Sequence, residues 1–329
     1  MDKVRIGFIG CGGVSNGHAS RITNMADAEI VALCDTNANT LTAYKQRHTK
    51  LADVSTFSDW RKMLDKVKLD AIEIHTPHTL HYEQIMAGLD RGFHVLTEKP
   101  MVCTSAHAHA VVKRVKETGL KLQVSYQRHF ERGFRFAKEL IASGKFGKVQ
   151  FVTALQSQEW KRATVGSWRQ DPALSGGGQL NDSGSHLIDI VLWVTGLVPA
   201  EVSAFIDSCG TKVDINSAVS VKFESGAQAN ISVVGDGLRW WEDVTIWGEK
   251  GILVFRQGEP LVYCSEDREL HMPQAMPGST DPDRNFIDAI LGKAELQVPA
   301  ECGLRVIQLT EAAWQSAARG GAPVKVAVD

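Results

Sequence analysis

The first 35 residues contain a strand, a glycine-rich turn, a helix and a second strand, and this order constrains the fold more than any other feature. The apolar run from Val4 to Ile9 leads into Gly10-Cys11-Gly12-Gly13-Val14-Ser15, and a helical pattern follows over residues 16–25. In a dinucleotide-binding turn the first glycine permits the tight turn, the second lets the pyrophosphate approach the backbone, and the third keeps helix and strand close. Ser15 stands at the third position and is small enough to serve. The segment predicts cofactor contacts from Gly10, Gly12, Gly13, Val14 and Ser15, although an ordinary tight turn would also use these glycines.

The second strand, over residues 29–35, ends in an acid 25 positions after Gly10. A carboxylate at Asp35 would accept hydrogen bonds from the adenosine ribose diol and repel a 2′-phosphate. This favours NAD over NADP, although Thr36 and Asn37 leave NADP possible. The alternative is an exposed aspartate that caps the next helix.

The strand and helix alternation then continues, which predicts a parallel sheet with helices on both faces. Helices are expected over residues 38–48, 60–64, 80–91 and 105–118, and strands over 70–75, 93–97 and 121–125. Thr76-Pro77-His78 and Glu98-Lys99 each follow a strand, and ligands bind at the carboxyl ends of such strands. Pro100 restricts Lys99 to extended geometry. Lys99 is therefore expected to be directed at a ligand.

The pattern changes after Ser125. A helix is expected over residues 130–143, followed by short alternating strands over 149–155, 202–206, 218–223, 228–233, 244–247 and 252–255. Two late helices, over 283–291 and 300–318, are expected to pack on this sheet. The chain is thus predicted to be α/β, with a Rossmann dinucleotide-binding domain over 1–125 and a substrate-binding and oligomerisation domain over 126–329 built on an open, mostly antiparallel sheet. One free sheet face predicts a homodimer or homotetramer.

Inside the second domain, Gly176-Gly177-Gly178 precedes an apolar helix that is expected to end at Gly196. Asp182 and His186 are four residues apart and are expected on one face of that helix. A carboxylate beside an imidazole is a general acid–base arrangement, in which the acid orients the ring. The pair alone fits equally well an N-cap aspartate and a satisfied core histidine.

A polar and aromatic stretch lies just before this helix, over residues 156–171. Tryptophan faces cover the C–H face of a sugar, while amides, acids and arginine bind hydroxyl groups. Trp160, Trp168 and Arg169 are the candidate ligand residues, with Trp168 and Arg169 favoured because they adjoin the glycine-rich loop. Core packing of both tryptophans is the competing interpretation.

The composition excludes several classes of protein. With 329 residues, 43% of them hydrophobic, and a net charge of −2, the chain has no electrostatic footprint for nucleic acid or an anionic membrane. It contains neither an apolar segment of the ~20 residues needed to span a bilayer nor a signal-peptide pattern at Met1, so a cytoplasmic location is expected. Six scattered cysteines argue against disulfides. No metal is expected, since the histidines show no ligand spacing; those considered are His75, His78, His81, His94, His107 and His109.

Together these motifs resemble the Gfo/Idh/MocA oxidoreductases. The resemblance rests on residues 6–15, on Thr76-Pro77 with His81, on Glu98-Lys99-Pro100, and on the segment from Gly176 to Asp189. It implies hydride transfer between nicotinamide and a carbon of a sugar, sugar derivative or polyol.

The resemblance also implies roles for single residues. Lys99 would hydrogen-bond the reacting oxygen, His186 would act as the base, and Asp182 would assist it. Cofactor contacts are expected from the turn residues 10 and 12–15 and from Asp35, Thr76, Pro77, His78, His81, Glu98, Lys99, Gln127, Trp168 and Arg169. Substrate contacts are expected from Lys99, Gln127, Trp160, Arg169, Asp182 and His186. Ser15, His78 and Gln127 depart from the common family pattern.

Two other functions remain open from the sequence. An NAD-dependent glycosidase that uses a transient oxidation and elimination would employ the same three catalytic residues. A dinucleotide-sensing regulator would have no chemical use for Lys99, Asp182 and His186 together.

Overall fold

A computed structural model describes residues 3–264 and 268–327. Contacts between residues divide the chain into two compact units. The first extends to Val102 and includes Ala106–Tyr126 and Thr280–Glu301, and the second comprises Cys103–Ser105, Gln127–Ser279 and the chain from Cys302 onward.

The strands and helices alternate in the first unit, as the sequence predicts, and strands dominate the second. The strands are β1 (Val4–Ile9), β2 (Ala28–Cys34), β3 (Ser55–Phe57), β4 (Ala71–Ile74), β5 (His94–Thr97), β6 (Leu122–Val124), β7 (Val149–Ser157), β8 (Pro199–Asp207), β9 (Asn216–Phe223), β10 (Gln228–Val234), β11 (Trp241–Gly248), β12 (Gly251–Arg256), β13 (Glu259–Cys264), β14 (Leu270–His271) and β15 (Val324–Lys325). The α-helices are α1 (Ser15–Ile22), α2 (Ala38–Arg47), α3 (Trp60–Lys66), α4 (His81–Asp90), α5 (Ser105–Thr118), α6 (Arg132–Ala142), α7 (Trp160–Ala163), α8 (Pro172–Ser175), α9 (Gly184–Thr195), α10 (Pro282–Ile290) and α11 (Ala300–Ala318). Single 3₁₀ turns lie at Thr49–Leu51, His78–Leu80, Gln127–Phe130 and Trp168–Gln170.

The first unit is built on a six-stranded sheet in the order β3-β2-β1-β4-β5-β6. Every neighbouring pair in it is parallel. The strand order reverses between β1 and β4, and in such sheets the carboxyl ends on either side of that reversal form the ligand crevice. The predicted Rossmann architecture is confirmed.

Helix α10 lies in the first unit, so the expectation that it packs on the second sheet is wrong. Phe286 and Ile287 are fully buried in the same core cluster as Phe8, Leu33 and Leu96. An amphipathic pattern shows that one helix face will be covered, but it does not specify which apolar surface covers it.

The second unit contains a nine-stranded sheet in the order β14-β13-β12-β11-β7-β10-β9-β8-β15. Only the β7–β10 pair is parallel among its described neighbours, which confirms the mostly antiparallel prediction. Alternate residues of β9 are buried and exposed. Helix α9 is apolar on most of its surface and ends at Gly196, whose φ is +69°. Among the described residues, no helix is both long enough and apolar enough to cross a membrane.

Candidate active site

The glycine-rich turn lies between β1 and α1, at the carboxyl edge of the first sheet. Gly10 has a φ of +92°, and a Cβ there would lie 2.9 Å from the main-chain carbon and oxygen of His75. Both the left-handed backbone and the close approach of the main chain directly after β4 require glycine at this position. A tight turn is thereby forced directly after β1.

Gly12 and Gly13 differ from Gly10 because a Cβ at either position would meet no described atom within 4 Å. Internal packing therefore does not call for glycine there, whereas close approach of a pyrophosphate to the backbone would. Ser15 is fully buried, begins α1 and donates to the Gly12 carbonyl at 2.8 Å, while Val14 is exposed. The turn fits a dinucleotide phosphate on these grounds.

Asp35 lies just beyond β2, and its carboxylate faces back to the same turn. One oxygen accepts from the Cys11 main-chain N–H at 3.0 Å, and the other accepts from the Asn37 N–H at 2.9 Å. The cap of α2 is Asn37, whose side chain accepts from Asn39. Asp35 is thus fixed beside the glycine turn and does not cap the helix.

The turn after β4 contains Thr76, Pro77 and His78, and the His81 side chain connects it to the turn after β5, which contains Pro100. The His81 ring is fully buried, with Nε2 2.9 Å from the Thr76 carbonyl oxygen and Nδ1 2.9 Å from that of Pro100. Burial lowers the pKa of His81. Because both ring nitrogens face main-chain oxygens, any effect of His81 on a cofactor would pass through these two turns.

Glu98 and Lys99 follow β5, and Glu98 is held by a residue that the sequence did not single out. His18 on α1 brings Nε2 to 3.1 Å from Glu98 Oε1 and Nδ1 to 2.6 Å from Asp283 Oδ1. The other Glu98 oxygen accepts from the Lys99 main-chain N–H at 3.2 Å. One signal for this cluster was available: Glu73 is an acidic residue within the buried strand β4, and a buried carboxyl group needs polar or charged neighbours.

In the second unit, Asp182 lies before α9 rather than on it, because the helix begins at Gly184. The expectation of a shared helix face with His186 is therefore wrong. The buried Asp182 carboxylate accepts from Trp160 Nε1 at 2.8 Å and from Arg169 Nε at 2.9 Å. Trp160 and Arg169 thus orient Asp182, while the Arg169 guanidinium lies 4.5 Å from the centre of the Trp168 ring.

A cavity of about 360 Å³ opens beside half-buried His186, entirely within the second unit. Its walls include Gln127, Arg128, Glu131, Gln156, Trp240 and Glu242. Buried Arg128 pairs with Glu242, and the Gln156 amide can bridge the Ser183 carbonyl (3.1 Å) and Arg128 Nη2 (3.3 Å). Burial raises the pKa of Glu131. Apart from Gln127, none of these wall residues received a role from the sequence. They come from a short turn and from strands that are far apart in the sequence, so no local pattern shows that they meet.

Comparison with known proteins agrees with these features. Residues 4–126 match the model of the Gfo/Idh/MocA oxidoreductase family with its NAD-binding Rossmann fold, and residues 134–254 match the family's C-terminal domain. The chain is 27% identical to a D-glucoside 3-dehydrogenase of Escherichia coli, over 96% of each chain. It is 26% identical to an inositol 2-dehydrogenase of Rhizobium meliloti, over 96% of this chain and 97% of that one. Among solved structures, levoglucosan dehydrogenase in complex with NADH and levoglucosan superposes with a TM-score of 0.90 and 21% identity, over 99% of this chain and 100% of that one.

Proposed function

Since this chain belongs to the Gfo/Idh/MocA family of NAD-dependent oxidoreductases, we propose that it oxidises a hydroxyl-bearing carbon of a sugar, sugar derivative or polyol, or runs the reverse reduction. One observation carries this proposal: Gly10 is forced into a tight turn, Gly12 and Gly13 leave their backbone open, and Asp35 is fixed beside them. Nicotinamide, when bound, supplies a carbon that accepts or returns the hydride.

The chain's own residues would hold the cofactor and move the proton. Main-chain N–H groups at Gly12 and Gly13 suit the pyrophosphate, and the Asp35 carboxylate suits the adenosine ribose. His186 would take the hydroxyl proton, because an imidazole has an ordinary pKa of ~6.5. The cationic Lys99 would stabilise the developing negative charge on the same oxygen. Lys99 belongs to the first unit and Asp182 and His186 to the second, so their joint action stays a prediction.

The second unit supports a polyhydroxy substrate. The cavity beside His186 is lined by an arginine, two glutamates and three glutamines, which offer both donors and acceptors to hydroxyl groups. Arg128 is neutralised by Glu242, so the cavity has no large excess of one charge. A neutral carbohydrate or polyol fits this lining better than a multiply charged substrate.

A substrate panel tests the proposal. The protein is incubated with NAD and one sugar, inositol or glycoside at a time, and with NADH and one keto form at a time, while NADH absorbance and released sugar are followed together. A dehydrogenase accumulates NADH with at least one alcohol substrate. Glycoside cleavage without net NADH identifies the glycosidase instead, and NAD binding with neither product contradicts both enzymatic functions.

We also propose that the chain works as a homodimer or homotetramer through the second sheet, in the cytoplasm as the sequence predicts. The support is Phe205 on β8, which is 68% exposed on a sheet face with alternating burial. Phe205→Asp is expected to reduce the molar mass measured by light scattering. An unchanged mass would place the interface elsewhere, and a monomeric wild type would contradict association.

A further inference from the structure

The first unit contains a buried chain of charged groups that reaches the main chain of Lys99. Asp283 on α10 contacts His18 on α1, His18 contacts Glu98 after β5, and Glu98 accepts from the Lys99 N–H. His18 and Asp283 are 2% and 0% exposed. A side chain buried this deeply can donate hydrogen bonds to two carboxylates only if the opposite charges around it compensate the cost of removing it from water.

The groups that face His18 come from three other elements: Glu73 from β4 with His75 directly after it, Glu98 from the end of β5, and Asp283 from α10. Arg21, on α1 itself, pairs with Asp283. The carboxylates of Asp283, Glu98 and Glu73 raise the pKa of His18 to about 10 against the opposing effect of burial. His18 is therefore an imidazolium at neutral pH, with both N–H groups donating.

The neighbouring groups balance its charge. Burial holds the pKa of Glu73 well above its usual range. Burial lowers the pKa of His75 to about 3, so His75 is neutral at pH 7. The pKa values of Glu98 and Asp283 are depressed despite burial, chiefly by His18. The His18 imidazolium is thus compensated by the carboxylates of Glu98 and Asp283, and Asp283 also pairs with Arg21.

A metal site is the competing interpretation, since ligand atoms of His18, Glu73 and His75 lie within 4.8 Å of one another. A metal would need a lone pair from His18. Each His18 nitrogen already lies within hydrogen-bond distance of a carboxylate, Nδ1 of Asp283 and Nε2 of Glu98. A carboxylate accepts hydrogen bonds, so each nitrogen has to carry a proton to make one. The geometry thus favours a proton on His18 over a metal.

We propose that His18, oriented by Asp283, is a positioning residue: it fixes the Glu98 carboxylate, which in turn holds the main chain of Lys99 in the conformation that the reaction needs. The catalytic part of this inference rests on the proposed function of Lys99. The positioning part concerns the first unit alone and can be measured without any substrate.

Four variants test it. His18→Phe keeps a ring but removes both donors, and His18→Gln keeps one donor for Glu98 and should restore part of the effect. Asp283→Asn keeps the side-chain shape and removes the anion that orients His18. Glu73→Gln is the matched control, because it changes a buried acid of the same cluster that forms no hydrogen bond to His18, and the amide keeps the shape of the side chain.

The first readout is the hydrogen-exchange rate of the Lys99 amide, measured by NMR in the full chain without cofactor. We expect it to rise about tenfold in His18→Phe and Asp283→Asn, less in His18→Gln, and to stay near wild type in Glu73→Gln. The Val95 amide, which donates within the sheet to Lys121, is the internal reference.

An unchanged Lys99 exchange rate overturns the inference. An equal rise at Val95 also overturns it, because it would mean that His18 only stabilises the unit. If His18→Phe does not fold, His18→Gln and Asp283→Asn decide, with Glu73→Gln as their control.

The second readout is turnover of the alcohol found in the substrate panel. We expect kcat to fall by about 10- to 100-fold in His18→Phe, with little change in the KM of the substrate, because a small displacement at a reacting group costs about that much. Faster Lys99 exchange with wild-type kcat overturns the catalytic consequence. If the wild type oxidises nothing in the panel, the proposed function fails, while the exchange data still decide whether His18 positions Lys99.

Discussion

At the scale of single residues, the sequence predicted where functional residues lie in the chain better than it predicted which side chains they contact. Gly10 and Asp35 could be found because turn geometry and strand ends impose a residue type at a fixed place in the chain. His18 could not, since its partners Glu98 and Asp283 lie 80 and 265 positions away. Nothing local in the sequence distinguishes such a histidine from one on a solvated helix face.

Asp35 should determine the preference of the protein for NAD over NADP. Asp35→Ala removes the ribose acceptor and the charge that repels a 2′-phosphate, so NAD binding is expected to weaken about 10-fold or more while NADP binding changes less. Titration of intrinsic fluorescence with each cofactor measures both affinities. Asp53→Ala, at another acid of the first unit for which no cofactor role is predicted, serves as the control. Identical NAD and NADP curves for the wild type would contradict the role given to Asp35.

Lys99 and His186 should be needed for turnover but not for cofactor binding. Lys99→Ala and His186→Ala are each expected to lower kcat by about 10²-fold or more, since base catalysis and stabilisation of a developing oxyanion each contribute at least that. NAD affinity should stay within about threefold of wild type, because the glycine turn and Asp35 supply most of that binding. Rapid-mixing assays of NADH formation give kcat, and near wild-type turnover in either variant would remove that residue from the mechanism.

At the scale of elements, periodicity located most of the longer strands and helices of both units but not the surface that each helix covers. Helix α10 was predicted within a residue of its bounds, yet it packs in the first unit, where Asp283 and Phe286 are both fully buried. Three of the strands that escaped prediction, β3, β14 and β15, contain two or three residues each, too few for alternation to register.

Helix α10 should stabilise the cofactor-binding unit specifically. Phe286→Ala is expected to lower its free energy of unfolding by about 3–5 kcal/mol, since a fully buried phenylalanine leaves a cavity when truncated. Thermal unfolding with and without NAD measures this, and NAD should still raise the melting temperature of the variant. The control is Leu270→Ala in the second unit, where the side chain is 57% exposed and little change is expected. A loss for Phe286→Ala below about 1 kcal/mol would place α10 outside the core.

At the scale of the whole molecule, the buried charges of the first unit should make stability depend on pH in both directions. His18 has its pKa raised to about 10, so its contribution is complete below the ordinary value of ~6.5 and is lost as the pH rises towards 10. His75 has its pKa lowered to about 3. The unfolded chain therefore binds a proton there that the folded chain does not, and stability also falls as the pH drops below ~6.5.

The loss of stability at alkaline pH is the easier effect to assign to His18, because Asp283 can be changed without removing His18. In Asp283→Asn the folded pKa of His18 should fall towards its ordinary value, so the loss of stability between pH 7 and 10 should be shallower than in the wild type. The difference is bounded by about 1.4 kcal/mol per pH unit for one proton. Asp27→Asn is the control, because the pKa of Asp27 is depressed by its hydrogen bonds to Arg284 and Lys293 and it titrates only in acid. Urea unfolding at a series of pH values measures the slopes. Parallel wild-type and Asp283→Asn slopes would show that Asp283 does not hold the proton on His18, and Glu98 would then be its main partner.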